Sequence, residues 1–358
     1  MVEWKKLGEI ANITIGEFVH RDKQNPKAKY PVYNGGTTYT GFYDHYNNTG
    51  KKIVISARGY AGFVNRVFDN YWAGNSSYSI DVNDSKTIWH FVYYYLKNEQ
   101  YNIMSMQQKG GGLAAISKKQ IQELSIPIPS LSEQTRIVSI LDTFTSSITN
   151  LKQQIAERRK QYEHYRDQLL DLEGKEGVEM KTLGEVASFP KERISATLLN
   201  SFNYVSVENL LKSKAGRVDS ENVPLTGNWA YYRNGDVLIG NIRPYLRKIW
   251  LADRDGGTNG DVLVIRPNEQ LLPQYLYFVL ASERFFEYYN QTAKGGKMPR
   301  GEKARALLFT IPIYPLQEQS RIVSLLDTFE ASISNLEAQQ KEREKQYEYY
   351  RNQLLSFK

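Results

Sequence analysis

Apolar and aromatic residues recur at alternating spacings of four and three in two stretches of the chain. In the first they are Ile137, Leu141, Phe144, Ile148, Leu151, Ile155, Tyr162, Tyr165 and Leu169, with Arg158 at the one polar position. The second gives Ile322, Leu326, Phe329, Ile333, Leu336, Tyr347, Tyr350 and Leu354, with Gln340 and Arg343 as its polar members. Such a heptad places one narrow apolar stripe on a helix, and that stripe is buried best against a second helix of the same kind. The pattern predicts two long helices, over 132–172 and 317–358. Ser132 and Glu133 suit a helix start, since a hydroxyl caps free amides and an acid favours the positive end of the dipole. Pro127 and Pro129 keep the preceding chain extended. About 33 helical residues would span roughly 50 Å. Elsewhere the pattern is shorter. Runs such as Lys52-Ile53-Val54-Ile55 and Asp236-Val237-Leu238-Ile239, bounded by Gly, Asn and Asp, predict strands, and 88–96 and 273–281 predict buried helices.

The two heptads belong to a duplication. Residues 126–170 align without a gap to 311–355 at an offset of 185, with 30 of the 45 positions identical. Upstream the offset persists while the residues diverge: Lys109-Gly110-Gly111 falls on Lys294-Gly295-Gly296 at 185, and Asn75 on Asn259 at 184. Leu7-Gly8-Glu9-Ile10 and Leu183-Gly184-Glu185-Val186 mark where each copy begins, with Gly174-Lys175-Glu176-Gly177 between them. The expected fold is therefore a pseudo-two-fold internal repeat: two α/β (α+β) domains, one fold carrying different surfaces, joined by two long helices that form an antiparallel coiled coil. The expected segments are a first variable domain over 1–131, a helix over 132–172, a second variable domain over 173–316 and a helix over 317–358. The rod would hold the variable domains apart, and Glu157-Arg158-Arg159-Lys160 reads as its solvated face.

Composition narrows the function. A chain of 358 residues with 41% hydrophobic content is long enough for two folded domains. It has no cysteine, which removes thiol nucleophiles, thiolate metal sites and disulfides. No apolar run reaches the roughly 18 residues of a membrane span. The opening residues lack an apolar signal region, so the expected compartment is the cytoplasm. The formal charge of +7 is unevenly spread: +5 over 1–131, −1 over 132–174, +4 over 175–316 and −1 over 317–358. All the excess positive charge lies in the variable domains, which is the footprint of phosphate binding.

The loops of those domains carry the candidate DNA-binding residues: Tyr33, Asn34, Gly35, Gly36, Thr37, Arg58, Tyr60, Asn75 and Lys109 in the first, and Arg243, Tyr245, Lys248, Asn259, Lys294, Lys297 and Arg300 in the second. They combine close backbone approach, side chains that read base edges and basic groups for phosphates. The competing explanations are ordinary turn chemistry for the glycine pairs and core packing for the tyrosines. No catalytic constellation stands out. There is no phosphate-binding Gly-Lys-Ser/Thr loop, no Gly-x-Ser-x-Gly elbow and no His-Glu-x-x-His, and His20, His45, His90 and His164 lack a second histidine at ligand spacing. No metal site is expected, and the chain reads as a reader of nucleic acid rather than a catalyst.

The order variable domain, heptad helix, variable domain, heptad helix resembles the specificity subunit of type I restriction-modification systems. Trp4-Lys5-Lys6-Leu7-Gly8-Glu9 opens the first copy. Ile126-Pro127-Ile128-Pro129-Ser130-Leu131-Ser132-Glu133-Gln134 enters its helix, and Gly235-Asp236-Val237-Leu238-Ile239-Gly240-Asn241-Ile242-Arg243-Pro244 lies inside the second copy. The resemblance covers essentially the whole chain. It implies two target recognition domains, each reading one half of a bipartite double-stranded DNA target, with the helix pair fixing the spacer. It also implies two modification subunits that supply S-adenosylmethionine and adenine methylation, and restriction subunits that use ATP and Mg, so no cofactor is expected in this chain. A rod of roughly 50 Å matches about 15 base pairs at ~3.4 Å each. The rival readings are the specificity part of a type IIB-like restriction-methylation system and a coiled-coil scaffold that binds no nucleic acid.

Overall fold

The computed structural model describes residues 2–107, 114–170, 178–291 and 293–357. They form two compact units, one of residues 1–152 with 338–358 and the other of residues 153–337. The long helices, here α1 (Leu131–Leu170) and α2 (Leu316–Leu354), are each shared between the units rather than forming segments of their own. At 40 and 39 residues each is about 60 Å long, against the roughly 50 Å expected of the paired stretch.

In the first unit a four-stranded antiparallel sheet runs in the order Ala11–Ile15, Ser77–Val82, Lys52–Ser56, Val64–Val67. A smaller three-stranded sheet joins Gly41–Tyr43, Tyr30–Tyr33 and Trp72–Ala73. The expected strand at 52–55 and helix at 88–96 are found as Lys52–Ser56 and Trp89–Asn98. Ile53, Ile55 and Ile80 from the large sheet pack with Phe91, Tyr94 and Leu96 of that helix. Strand Glu3–Lys6 pairs antiparallel with Ser125–Ile128, and Pro127 stands opposite Trp4, extended as its ring requires.

The second unit repeats this plan with different residues. Its main sheet runs Ala187–Ser188, Val262–Pro267, Val237–Gly240, Ile249–Leu251, and its second sheet Arg193–Ser195, Asn228–Tyr232, Gly256–Thr258, Tyr204–Val205. The expected strand over Asp236–Ile239 is found as Val237–Gly240 and the helix over 273–281 as Pro273–Leu280. Strand Glu179–Thr182 pairs with Thr310–Ile313 as its counterpart does in the first unit.

The repeated Leu-Gly-Glu has a structural cause. Leu7 and Leu183 are fully buried. Glu9 accepts from the Lys6 amide at 2.8 Å, and Glu185 from the Thr182 amide at 2.7 Å, closing a one-turn helix at each site. A side chain on Gly8 would press on Gln122, and on Gly184 it would press on Leu307. The cap of α1 lies two residues before the expected one: it is Ser130, whose hydroxyl accepts from the Glu133 amide, while Ser132 lies inside the first turn.

A glutamine fastens each long helix to its domain. Gln134 is fully buried; its carbonyl accepts from the Ile88 amide at 2.8 Å, and its amide donates to the Lys86 and Pro129 carbonyls, both at 2.9 Å. Gln319, at the same repeat position, accepts from the Leu272 amide at 2.9 Å and donates to Gln270 and Tyr314 at 2.7 and 2.8 Å. Buried backbone groups need partners, and these two side chains supply three each.

The helices run antiparallel within each unit. In the first, the start of α1 meets the end of α2: Phe144 stacks on Tyr350 at 5.3 Å, with Tyr347 at 6.5 Å. Ile137 and Leu141 are fully buried in the domain core, where Tyr347, Leu354 and Leu355 join them. Phe357 packs on Phe91 and Tyr95. In the second unit, Phe329 stacks on Tyr165 at 5.4 Å, with Tyr162 at 6.5 Å, while Ile322 and Leu326 are buried with Leu170. Of the other seam positions, Ile155 is buried, and Ile148, Leu151, Leu169, Ile333 and Leu336 are half-buried. Tyr165 and Tyr350 remain largely exposed. Leu170 and Leu355, which the heptad reading passes over, are more buried than Leu169 and Leu354.

Candidate nucleic-acid interface

In the first unit three loops converge. The Tyr60 amide donates to the Gly35 carbonyl at 3.0 Å, the Gly35 amide to the Ser77 hydroxyl at 3.1 Å and the Ser76 amide to the Asn34 side chain at 3.0 Å. Asn34, Gly35, Arg58, Tyr60 and Asn75 thus come together. Gly35 has φ of 77°, and a Cβ there would stand 2.6 Å from the Arg58 carbonyl oxygen. The close approach that this glycine permits is to its own chain. The Asn34 carbonyl is likewise spent on the Ser76 amide. Tyr33 sits half-buried, edge-on to Tyr71 at 5.7 Å, and burial pushes its hydroxyl pKa up. Gly36 and Thr37 are half-buried. Arg58 and Tyr60 are the exposed pair at this loop cluster, and Arg58 has no ion-pair partner among the described residues. Lys109 lies outside the described residues.

The second unit gathers its candidates more closely. A cleft of about 460 Å³ is lined by Arg243, Lys248 and Asn259 together with Tyr204, Glu208 and Asp261. Arg243 holds a left-handed backbone, φ 52°, costly for a residue with a Cβ. Its amide is fixed by the Pro299 carbonyl at 2.7 Å, and its Nε is buried without a hydrogen-bond partner among the described residues. Lys248 donates to the Val207 carbonyl at 2.5 Å, and burial, reinforced by Lys212, lowers its pKa. The Asn259 side chain accepts from the Asp261 amide at 3.1 Å. Tyr245 is exposed beside this cleft.

Residues 294–300 form a narrow loop whose ends bond each other, Lys294 and Arg300 exchanging amide and carbonyl bonds at 3.0 Å. Arg300 is held by Asp261 at 2.9 Å, which raises its pKa, and Lys294 by Glu302 at 3.1 Å. Lys297 is exposed at the tip, with no ion-pair partner among the described residues. Asp261 and Glu302 were missed by the sequence reading, although both lie within two residues of a candidate base reader or phosphate binder. The loop placement is common to both units: Arg58 bridges to Ala115 in one and Ile242 to Arg300 in the other, at matching repeat positions.

A second cleft in the first unit, about 690 Å³, is lined by Lys29, Tyr30, Tyr33, Arg66 and Phe68. Arg66 is committed elsewhere. It bonds Asp142 of α1 and the Tyr94 hydroxyl, each at 3.2 Å, and touches His90, tying the domain to its helix. Burial of His90 lowers its pKa despite the neighbouring Asp142 carboxylate. Among the described residues no group of His, Asp and Glu is placed to hold a metal ion, and no helix is long and apolar enough to cross a membrane.

Comparison with known proteins agrees with this architecture. Residues 1–158 and 175–345 match the Type I restriction modification DNA specificity domain. Over 401 residues the chain is 28% identical to the Type I restriction enzyme EcoR124I/EcoR124II specificity subunit of Escherichia coli, covering 99% of this chain and 94% of that one. It is 27% identical over 388 residues to a putative type I restriction enzyme specificity subunit, S.HindORF215P, of Haemophilus influenzae, covering 99% and 96%. The crystal structure of the S subunit of a type I restriction-modification system from M. genitalium shares the fold, with a TM-score of 0.69 at 18% identity over 100% of this chain and 97% of that one. With both repeats matched and the same two-domain, two-helix plan throughout, the chain belongs to the family of type I restriction-modification DNA specificity subunits.

Proposed function

We propose that residues 1–131 and 173–316 are target recognition domains that read the two halves of a bipartite, asymmetric double-stranded DNA sequence, with the paired helices setting the spacer. The observation that carries this reading is the matched loop placement: the same bridge, Arg58 to Ala115 and Ile242 to Arg300, holds different side chains in the two repeats. One scaffold with two sets of loop side chains suits two different half-sites. The domains supply positive charge and hydrogen-bonding side chains, and catalysis resides in partner subunits that carry S-adenosylmethionine, ATP and Mg.

The helices support a partner that binds twice. Glu133 and Arg136 pair at 2.7 Å and Glu318 and Arg321 at 2.6 Å, and Leu131 and Leu316 are both 47% exposed. These identical exposed positions suit two copies of one modification subunit, which restriction subunits then join, in the cytoplasm. Expression with its modification subunit in a methylation-free host tests the reading. Genome-wide mapping of N6-methyladenine is expected to return one bipartite motif with a fixed gap, and a methylated but non-bipartite motif would refute it. Binding is also expected to weaken with salt. Replacing Lys294 and Lys297 together with alanine should lower the slope of log affinity against log salt by about 2 in magnitude, and an unchanged slope would remove these lysines from the phosphate contacts.

A further inference from the structure

Residues 126–170 and 311–355 differ at 15 of 45 positions, and only two of those differences reverse charge: Lys152 corresponds to Glu337, and Arg159 to Glu344. These four residues form two ion pairs. In the first unit the Lys152 ammonium lies 3.3 Å from the Glu344 carboxylate, and in the second the Arg159 guanidinium lies 2.5 Å from Glu337. At an offset of 185 the two contacts are one contact made twice, with the roles of the helices exchanged.

The flanking aromatic contacts do not distinguish the helices. Phe144 on Tyr350 and Phe329 on Tyr165 are the same stack, built from residues identical in both repeats, and Arg343 over Phe144 is matched by Arg158 over Phe329. A helix pair made of two copies of α1 would keep those stacks. It would also set Lys152 against Arg159 twice. A pair made of two copies of α2 would set Glu337 against Glu344 twice. Facing charges of this kind select partners in paired helices by penalising the wrong one.

We propose that Lys152, Arg159, Glu337 and Glu344 make the middle of each long helix an interaction surface that fits the other repeat of the same chain and rejects its own counterpart in a second copy. The occupant is fixed by sign: the first helix is basic at both positions and the second acidic at both. On the functional reading above, like-with-like pairing would join two copies of one recognition domain and turn a reader of two sequences into a reader of one. The charge rule itself is independent of that reading, because its test measures assembly and not DNA binding.

The full-length chain tests it with two variants of unchanged net charge. In K152E/E337K the parental pairing meets like charges at both contacts, since the new carboxylate at position 152 faces Glu344 and the new ammonium at position 337 faces Arg159. Each like-with-like pairing becomes complementary in the same variant. In K152E/R159E/E337K/E344R the original complementarity is restored with the signs inverted. Light scattering and thermal unfolding at low salt are expected to show K152E/E337K melting lower than the parent, with its dimer fraction raised about fivefold or more, and the four-fold variant matching the parent in both. The differences should shrink at about 1 M salt, where screening acts within ~3 Å. A K152E/E337K chain identical to the parent in both readouts overturns the proposal. So does a four-fold variant as impaired as K152E/E337K, or a lower midpoint with no dimer, since either reduces the pairs to local contacts without partner choice.

Discussion

Replacing Arg243 with alanine is expected to cost about 1–3 kcal/mol of DNA binding, roughly a 5- to 150-fold loss, at one half-site and nothing at the other. The residue combines three features that the other candidates hold only singly. It lines the cleft of the second unit, its backbone is pinned in a left-handed conformation by the Pro299 carbonyl, and its buried Nε has no partner among the described residues. A buried donor left open in the free protein is costly, and a guanine edge with its two acceptors is the ligand that would satisfy it. Arg243→Lys should not rescue binding, because an ammonium lacks the planar fork. Arg243→Gly separates folding from recognition: glycine accepts φ of 52° without strain. Its melting midpoint should therefore equal or exceed the parent's while binding falls as in the alanine variant. Gel-shift measurements on the assembled complex, with probes altered in one half-site at a time, decide the matter. Equal binding by parent and Arg243→Ala on both probes removes the residue from recognition.

Gln134→Leu is expected to destabilise the first unit by about 3–5 kcal/mol. Leucine fills much the same space yet leaves the Ile88 amide and the Lys86 and Pro129 carbonyls without their partner in a site closed to water. Each orphaned group costs about 1–3 kcal/mol. For a unit of this size the loss corresponds to a fall of roughly 10 °C in melting temperature. Gln319→Leu should fall by a similar amount, since it breaks the same three bonds in the second unit. Thermal unfolding of both variants checks this, and a drop of less than about 2 °C in either would show that water or a rearranged backbone takes over the bonds.

The long helices and the duplication were legible because their signals are long: nine or so seam positions in a steady rhythm, and thirty identities without a gap. The main sheet strands were legible from runs such as Lys52-Ile53-Val54-Ile55. The second sheets were not, because strands of two or three residues such as Trp72–Ala73 and Gly41–Tyr43 are too short to show alternation. Gln134 stood inside the motif that enters the helix, but its role depends on backbone groups 46 and 48 residues away, which no local pattern reports. The site was legible in outline only. The loops that composition singles out converge within each repeat, while the part each residue plays there depends on packing. Gly35 and Asn34 serve their own backbone and Tyr33 serves the core, whereas Arg58, Tyr60, Arg243 and Lys297 are left with groups to offer. The acids that hold Arg300 and Lys294 were hidden for the same reason: a carboxylate near a basic loop has a partner only once the loop is folded.

The partition of the helices also sets the order in which the protein can be completed as it leaves the ribosome. Domains usually finish folding in the order of synthesis. Here the unit of residues 153–337 has all its chain before the other does, because the first unit closes its core on Leu354, Leu355 and Phe357, which are translated after residue 337. Until those residues emerge, Phe91 and Tyr95 lack the ring that covers them, so the domain made first spends longest waiting and a premature stop near residue 337 would spare the second unit while leaving the first one open.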